Sequence, residues 1–222
     1  VYAINAINGM KKWVYRTLFY AAAVTFSSDC KTVYIGGRSG YSVFEAINTT
    51  DGSQLWNITL RYPNRYNNQS SAAFSSDGKT IYLGLSNYFF AINTADGSQK
   101  WNNSFASVSL FRGFSSTAIS PDGKTVYVGS SFFLAFNTAD GSQKWNYTSE
   151  GSYPIPIFSS PTISSNGETV YVGSSDNNLY AINTANGSRK WTYTTGGNVR
   201  STPAISSDGE TVYVASDDGN FY

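Results

Sequence analysis

The chain has 222 residues, a net charge of +1 and 13% charged residues, against 16% aromatics that include 17 Tyr and 14 Phe. That balance gives no electrostatic footprint for nucleic acid or a membrane surface, and no apolar run reaches transmembrane length, so direct membrane insertion is not expected. With no histidine and one cysteine, Ser-His-Asp and Cys-His catalysis, His-ligated zinc and an intrachain disulfide are all excluded.

An eleven-residue pattern recurs along the chain: Ala, Asn two places on, Gly at the seventh place and Trp at the eleventh. Its copies are Ala3-Asn5-Gly9-Trp13, Ala46-Asn48-Gly52-Trp56, Ala91-Asn93-Gly97-Trp101, Ala135-Asn137-Gly141-Trp145 and Ala181-Asn183-Gly187-Trp191. A period of about 44 residues is that of a β-propeller. We expect one domain spanning 1–222, all-β, of five four-stranded antiparallel blades.

In chain order, Val1 to Asn5 reads as a third strand, so the chain opens part-way through a blade. Cys30 then stands where sister units carry Gly78, Gly123, Gly167 and Gly209. It reads as a drifted turn residue or as a site of intermolecular attachment. The fourth full unit gives the clearest blade. Phe158 to Ser164 is its first strand, Ser165-Asn166-Gly167 a hairpin turn and Thr169 to Gly173 a β-branched buried strand. A turn at Asp176-Asn177-Asn178 precedes Leu179 to Asn183, and after Asn186-Gly187 the outer strand runs from Lys190 to Thr194. Asn220 to Tyr222 begins a further third strand, with Tyr222 and Tyr2 both aligned on Tyr180.

We therefore expect the N-terminal strands to complete the C-terminal half-blade and close the ring, since closure removes open edges. The two-residue overlap instead favours continuation into further repeats. Starting at Val, the chain reads as a processed or excised piece.

Positions repeated in every unit are expected to serve packing. Gly allows a positive φ, Trp lies over the adjacent blade, and Ala is small because something approaches it. Burying roughly 200 Å² per Trp gives at most about 5 kcal/mol each. The Ala-x-Asp/Asn-x-x-x-Gly-x-x-x-Trp pattern, with strands such as Thr169 to Gly173, resembles the PQQ-like (quinoprotein-type) propeller repeat and its tryptophan-docking motif over essentially the whole chain. The resemblance implies a propeller, and the family's best-known members have eight blades. It implies no single activity, because the family holds dehydrogenases, assembly scaffolds and surface proteins. A dehydrogenase would bring vicinal cysteines, Glu/Asn/Asp calcium ligands and a catalytic Asp. The cysteine pair is missing here, and the carboxylates fall mostly in turns. We expect no catalytic residue, cofactor or metal.

Segments that vary between units are the better functional candidates. They join each Trp strand to the next first strand and should gather on one face. Their Tyr, Phe and Arg residues have the composition of a binding surface. The candidates are Arg16, Tyr20, Arg61, Tyr62, Arg65, Tyr66, Phe111, Arg112, Tyr153 and Arg200; the alternative is that such aromatics pack between blades. Asn-x-Ser/Thr acceptors for glycosylation occur at Asn48, Asn57, Asn68, Asn102, Asn146 and Asn186, about as many as this composition gives by chance. The expected function is a non-catalytic scaffold or adhesion module, secreted or on a cell surface, that binds a protein partner or self-associates. A lectin-like carbohydrate binder and a fragment of a PQQ-dependent dehydrogenase are the alternatives.

Overall fold

The computed structural model describes residues 1–38, 42–60, 72–85, 88–104, 114–148, 157 and 159–222. These residues are all-β, with no helix among them. β1 (Tyr2–Ile4) and β2 (Lys11–Val14) form a two-stranded sheet. Four antiparallel four-stranded sheets follow in chain order. The first contains β3 (Tyr20–Phe26), β4 (Thr32–Arg38), β5 (Ser42–Asn48) and β6 (Gln54–Leu60). The second contains β7 (Ala73–Phe74), β8 (Thr80–Leu85), β9 (Tyr88–Asn93) and β10 (Gln99–Ser104). The third contains β11 (Thr117–Ile119), β12 (Thr125–Gly129), β13 (Phe133–Asn137) and β14 (Gln143–Tyr147). The fourth contains β15 (Thr162–Ile163), β16 (Thr169–Gly173), β17 (Asn178–Asn183) and β18 (Arg189–Thr194). β19 (Ala204–Ile205) and β20 (Val212–Tyr213) make a final two-stranded sheet.

The local chemistry explains the meander. Each first hairpin is built on a Ser-x-Asp/Asn turn. In the third sheet the Ser120 hydroxyl accepts from Thr125 N at 2.9 Å, and Asp122 Oδ1 accepts from Lys124 N at 3.0 Å. The short polar side chains thus take up the turn's backbone donors and hold adjacent strands antiparallel. At the corresponding left-handed turn position Cys30 has φ 57°, where Gly123 has 71° and Gly167 has 73°. Cys30 is exposed and unpaired.

Within a sheet, Ala is the residue across which two rings meet. In the third sheet Ala135 pairs with Tyr127 on one side and Trp145 on the other. The Tyr127 and Trp145 ring centroids are 5.7 Å apart. The same geometry joins Tyr34 to Trp56 at 5.7 Å over Ala46, and Tyr82 to Trp101 at 5.8 Å over Ala91. A larger side chain would wedge the rings apart. A bulge follows each Ala in these sheets or at its Trp partner, adding local twist.

The core lies between sheets. One cluster joins Tyr34, Phe44 and Trp56 to Ile81, Leu83 and Ile92 of the next sheet. A second joins Phe89 and Trp101 to Val126, Val128 and Phe136, and a third joins Phe133 and Trp145 to Val170, Val172 and Ile182. Each sheet therefore depends on its neighbours for burial, as expected for stacked repeats.

At the two ends the structure corrects the expected pairing of terminal strands. β1–β2 and β19–β20 are separate sheets. Tyr222 takes the place beside Val214, donating to its carbonyl at 2.9 Å and accepting from its amide at 3.0 Å. Because that slot is filled from within the C-terminal segment, the N-terminal strand is not the neighbour of β20.

Candidate functional site

Tryptophan placement distinguishes scaffold from surface. Trp13, Trp56, Trp101 and Trp145 each reach the following sheet, where Nε1 donates to the carbonyl of Thr49, Thr94, Thr138 and Thr184 at 2.8, 2.9, 3.0 and 2.8 Å. Their rings lie against Gly52, Gly97, Gly141 and Gly187, so close that a Cβ on any of these glycines would fall 2.6–2.8 Å from the indole. Trp191 differs: it is 42% exposed, against 7–8% for Trp56, Trp101 and Trp145. At the other end, a Cβ on Gly9 would meet nothing within 4 Å. Beside Trp191 lies a cleft of about 570 Å³ whose walls include Tyr171, Tyr193, Val214 and Tyr222.

The variable segments divide into packing and surface residues. Phe114, Ile157 and Val199 are buried, each over a glycine of the preceding sheet: Gly84, Gly129 and Gly173. Phe19 is buried against Gly37, with its carbonyl held by the Thr17 hydroxyl at 2.9 Å. Around it Arg16 is exposed, Leu18 is 92% exposed and Tyr20 is 82% exposed. Arg200 is also exposed and pairs through Nε with Asp217 Oδ2 at 3.1 Å. With the Asn198 amide turned to satisfy its neighbours, its oxygen accepts from Arg200 Nη2 at 3.1 Å. Of the sequence candidates Arg61, Tyr62, Arg65, Tyr66, Phe111, Arg112 and Tyr153 lie outside the described residues, as does Asn68. Asn57, Asn102, Asn146 and Asn186 are exposed, while Asn48 is half-buried with Oδ1 accepting from Thr50 N at 2.8 Å.

One residue outside the sequence candidates stands out. The third-strand residue before the repeated Ala is Phe90, Leu134 and Tyr180 in the second to fourth sheets, and all three are buried. In the first sheet it is Glu45, only 8% exposed. The residue two places after the preceding Trp belongs to the same interface, as in the 5.3 Å ring contact of Tyr147 with Tyr180. For Glu45 that residue is Tyr15. The Tyr15 hydroxyl donates to Gln54 Oε1 at 2.6 Å and also interacts with the Glu45 carboxyl. Burial pushes the Glu45 carboxyl above its ordinary value, partly offset by Tyr15. Tyr15 is pushed up to about 12, by burial first and then by the Glu45 charge and hydrogen bond. Among the described residues Glu45 Oε2 has no hydrogen-bond partner. The signal available in the sequence was the break in an otherwise apolar repeat position.

The sole cysteine stands in an exposed turn, and among the described residues no three His, Cys, Asp or Glu side chains could hold a metal ion. Asp51, Asp96 and Asp140 instead engage the serine two places on in their own turns.

With this geometry in hand, the sequence matches the family model described as "Outer membrane protein assembly factor BamB", over residues 1–147 and again over 45–222. The chain belongs to this PQQ-type repeat family. Among solved structures it is similar to BamB from Moraxella catarrhalis, with a TM-score of 0.76 at 17% identity. The match covers 97% of this chain and 64% of that one, so the likeness concerns the propeller fold and the chain spans under two thirds of its neighbour's length. No curated protein matches the sequence. No helix among the described residues is long and apolar enough to cross a membrane.

Proposed function

We propose that this chain is a non-catalytic propeller scaffold that binds a protein partner through the variable segments, in a secreted or surface-exposed setting. The observation that carries the reading is the division within those segments. Phe19, Phe114, Ile157 and Val199 anchor the backbone, while Arg16, Leu18, Tyr20 and Arg200 are left in solvent. Rigidly held, exposed Tyr, Leu and Arg side chains form the kind of pre-organised surface that protein interfaces use. The family's description as an assembly factor supports the same class of role. A lectin-like reading would call for equivalent pockets round the repeat, whereas Glu45 has apolar counterparts in Phe90, Leu134 and Tyr180.

A photo-crosslinking residue at Tyr20 or Arg200 tests this reading. We expect a discrete protein adduct from the native compartment, lost when Arg16 and Leu18 are both replaced by Ala in a protein that still folds. Adducts equally abundant from a crosslinker on the outer strand at Asn102 would defeat the assignment of this face.

A further inference from the structure

We propose that the cleft beside Glu45 receives a guanidinium or ammonium group presented by the protein partner, an inference that rests on the scaffold reading above. The cleft has a volume of about 620 Å³ and lies between the segment that follows β2 and the first four-stranded sheet, walled by Tyr15, Leu18, Phe19, Glu45, Gln54 and Asn57. Folding does not explain the acid, because the equivalent position is filled by buried Phe90, Leu134 or Tyr180 elsewhere. A buried carboxyl with an unpaired oxygen costs stability until a donor reaches it. Within the chain the Tyr15 hydroxyl is shared between the Glu45 carboxyl and Gln54 Oε1, which lies 2.6 Å from it, and Oε2 of Glu45 is left without a partner among the described residues.

A charged donor satisfies such a carboxylate better than a neutral hydroxyl does, and a guanidinium can also engage the amide oxygen of Asn57. The rest of the lining suits a basic side chain as a whole. Phe19 and Val43 supply apolar wall for its methylene stem, and Leu18, 92% exposed, adds a further apolar side chain to the lining. Arg16 is the other charged side chain of the lining; it is exposed, so solvent and salt screen it from a cation held at Glu45.

Isotope labelling of the glutamate side-chain carboxyls, with titration by N-acetylarginine amide, tests the proposal. N-acetylcitrulline amide serves as the uncharged isostere. We expect a saturable shift of the Glu45 signal with arginine, and binding at least about tenfold weaker with citrulline, or in Glu45→Gln as read from the Tyr15 and Gln54 amide signals. Glu45→Gln keeps shape and amide-like polarity; an unchanged spectrum away from Tyr15 and Gln54 verifies its fold. Equal binding of citrulline, an arginine response that survives Glu45→Gln, or a Glu45 shift induced only by a methyl glycoside would overturn the assignment. Crosslinking from Tyr20 separates this proposal from the scaffold reading. A partner captured equally by the wild type and Glu45→Gln removes the cation site and leaves the scaffold intact. Arginine binding at Glu45 without any protein captured at this face keeps the site and removes the scaffold.

Discussion

Trp101 lies on Gly141 of the following sheet so closely that a methyl group at that glycine would sit 2.6 Å from the indole. The glycine's φ of +73° and the 3.0 Å bond from Trp101 Nε1 to Thr138 O belong to the same junction. One turn thus presents both a bare backbone for the ring and a carbonyl for its N–H. Successive sheets are locked together by this contact between distant parts of the sequence.

Gly141→Ala should therefore destabilise the protein by about 2–4 kcal/mol, combining overpacking with a left-handed backbone cost. Gly9→Ala has φ +70° but open space around its Cβ, so only the backbone part, about 1 kcal/mol, should appear. Urea midpoints of the two variants measure the difference, and equal losses would mean that the indole contact contributes little.

The same logic orders the tryptophans. Trp101→Ala should cost about 3–5 kcal/mol. Trp191→Ala should cost about half of that or less, because 42% of its surface is already in water. Thermal denaturation of both variants checks the ranking.

Glu45→Leu should stabilise the fold by roughly 1–2 kcal/mol at neutral pH, by removing a buried acid with one unsatisfied oxygen from an apolar position. The pH dependence follows from the raised carboxyl. Its ordinary value is 4.5 and its folded value is higher, so the folded state holds the proton more tightly. Stability from this group falls as pH rises from 4.5 through the folded value. Tyr15 is the ionisable group that faces it, and at about 12 it keeps its proton throughout that window. Denaturation midpoints of wild type minus Glu45→Gln, measured across the window, should show that decline.

Cys30→Gly should stabilise by about 1 kcal/mol, since a side-chain-bearing residue occupies a left-handed turn at φ 57°. Urea denaturation under reducing conditions isolates the effect from any thiol chemistry.

Acid should weaken the turns. Asp29, Asp77, Asp122 and Asp208 are held below the usual 3.8, each first by its serine hydroxyl. Asp218 is brought to about 2, first by the Asn220 amide and then by the Tyr222 hydroxyl. These lowered values contribute stability that is complete above 3.8 and is lost as pH falls through the folded values. Asp77→Asn should flatten the low-pH limb of the stability curve, with midpoints measured between pH 2 and 5 giving the comparison.

How much of this was legible beforehand depended on range. Alternating strands such as Thr169–Gly173, and hairpins built on Ser-x-Asp/Asn turns, are local in origin, and the regular spacing of Trp, Gly and Ala marks one unit stacked repeatedly. Those features determine an all-β repeat protein by themselves. Tertiary structure decided which surfaces meet: that Trp101 reaches Gly141, that Tyr222 takes the place beside Val214, and that Phe19 turns inward while Leu18 and Tyr20 stay in water. It also decided that Glu45 is enclosed between sheets against Tyr15, thirty residues away in sequence. A carboxylate at an otherwise apolar repeat position is visible in one dimension. Its desolvation and its missing partner exist only once a neighbouring sheet has excluded water from it.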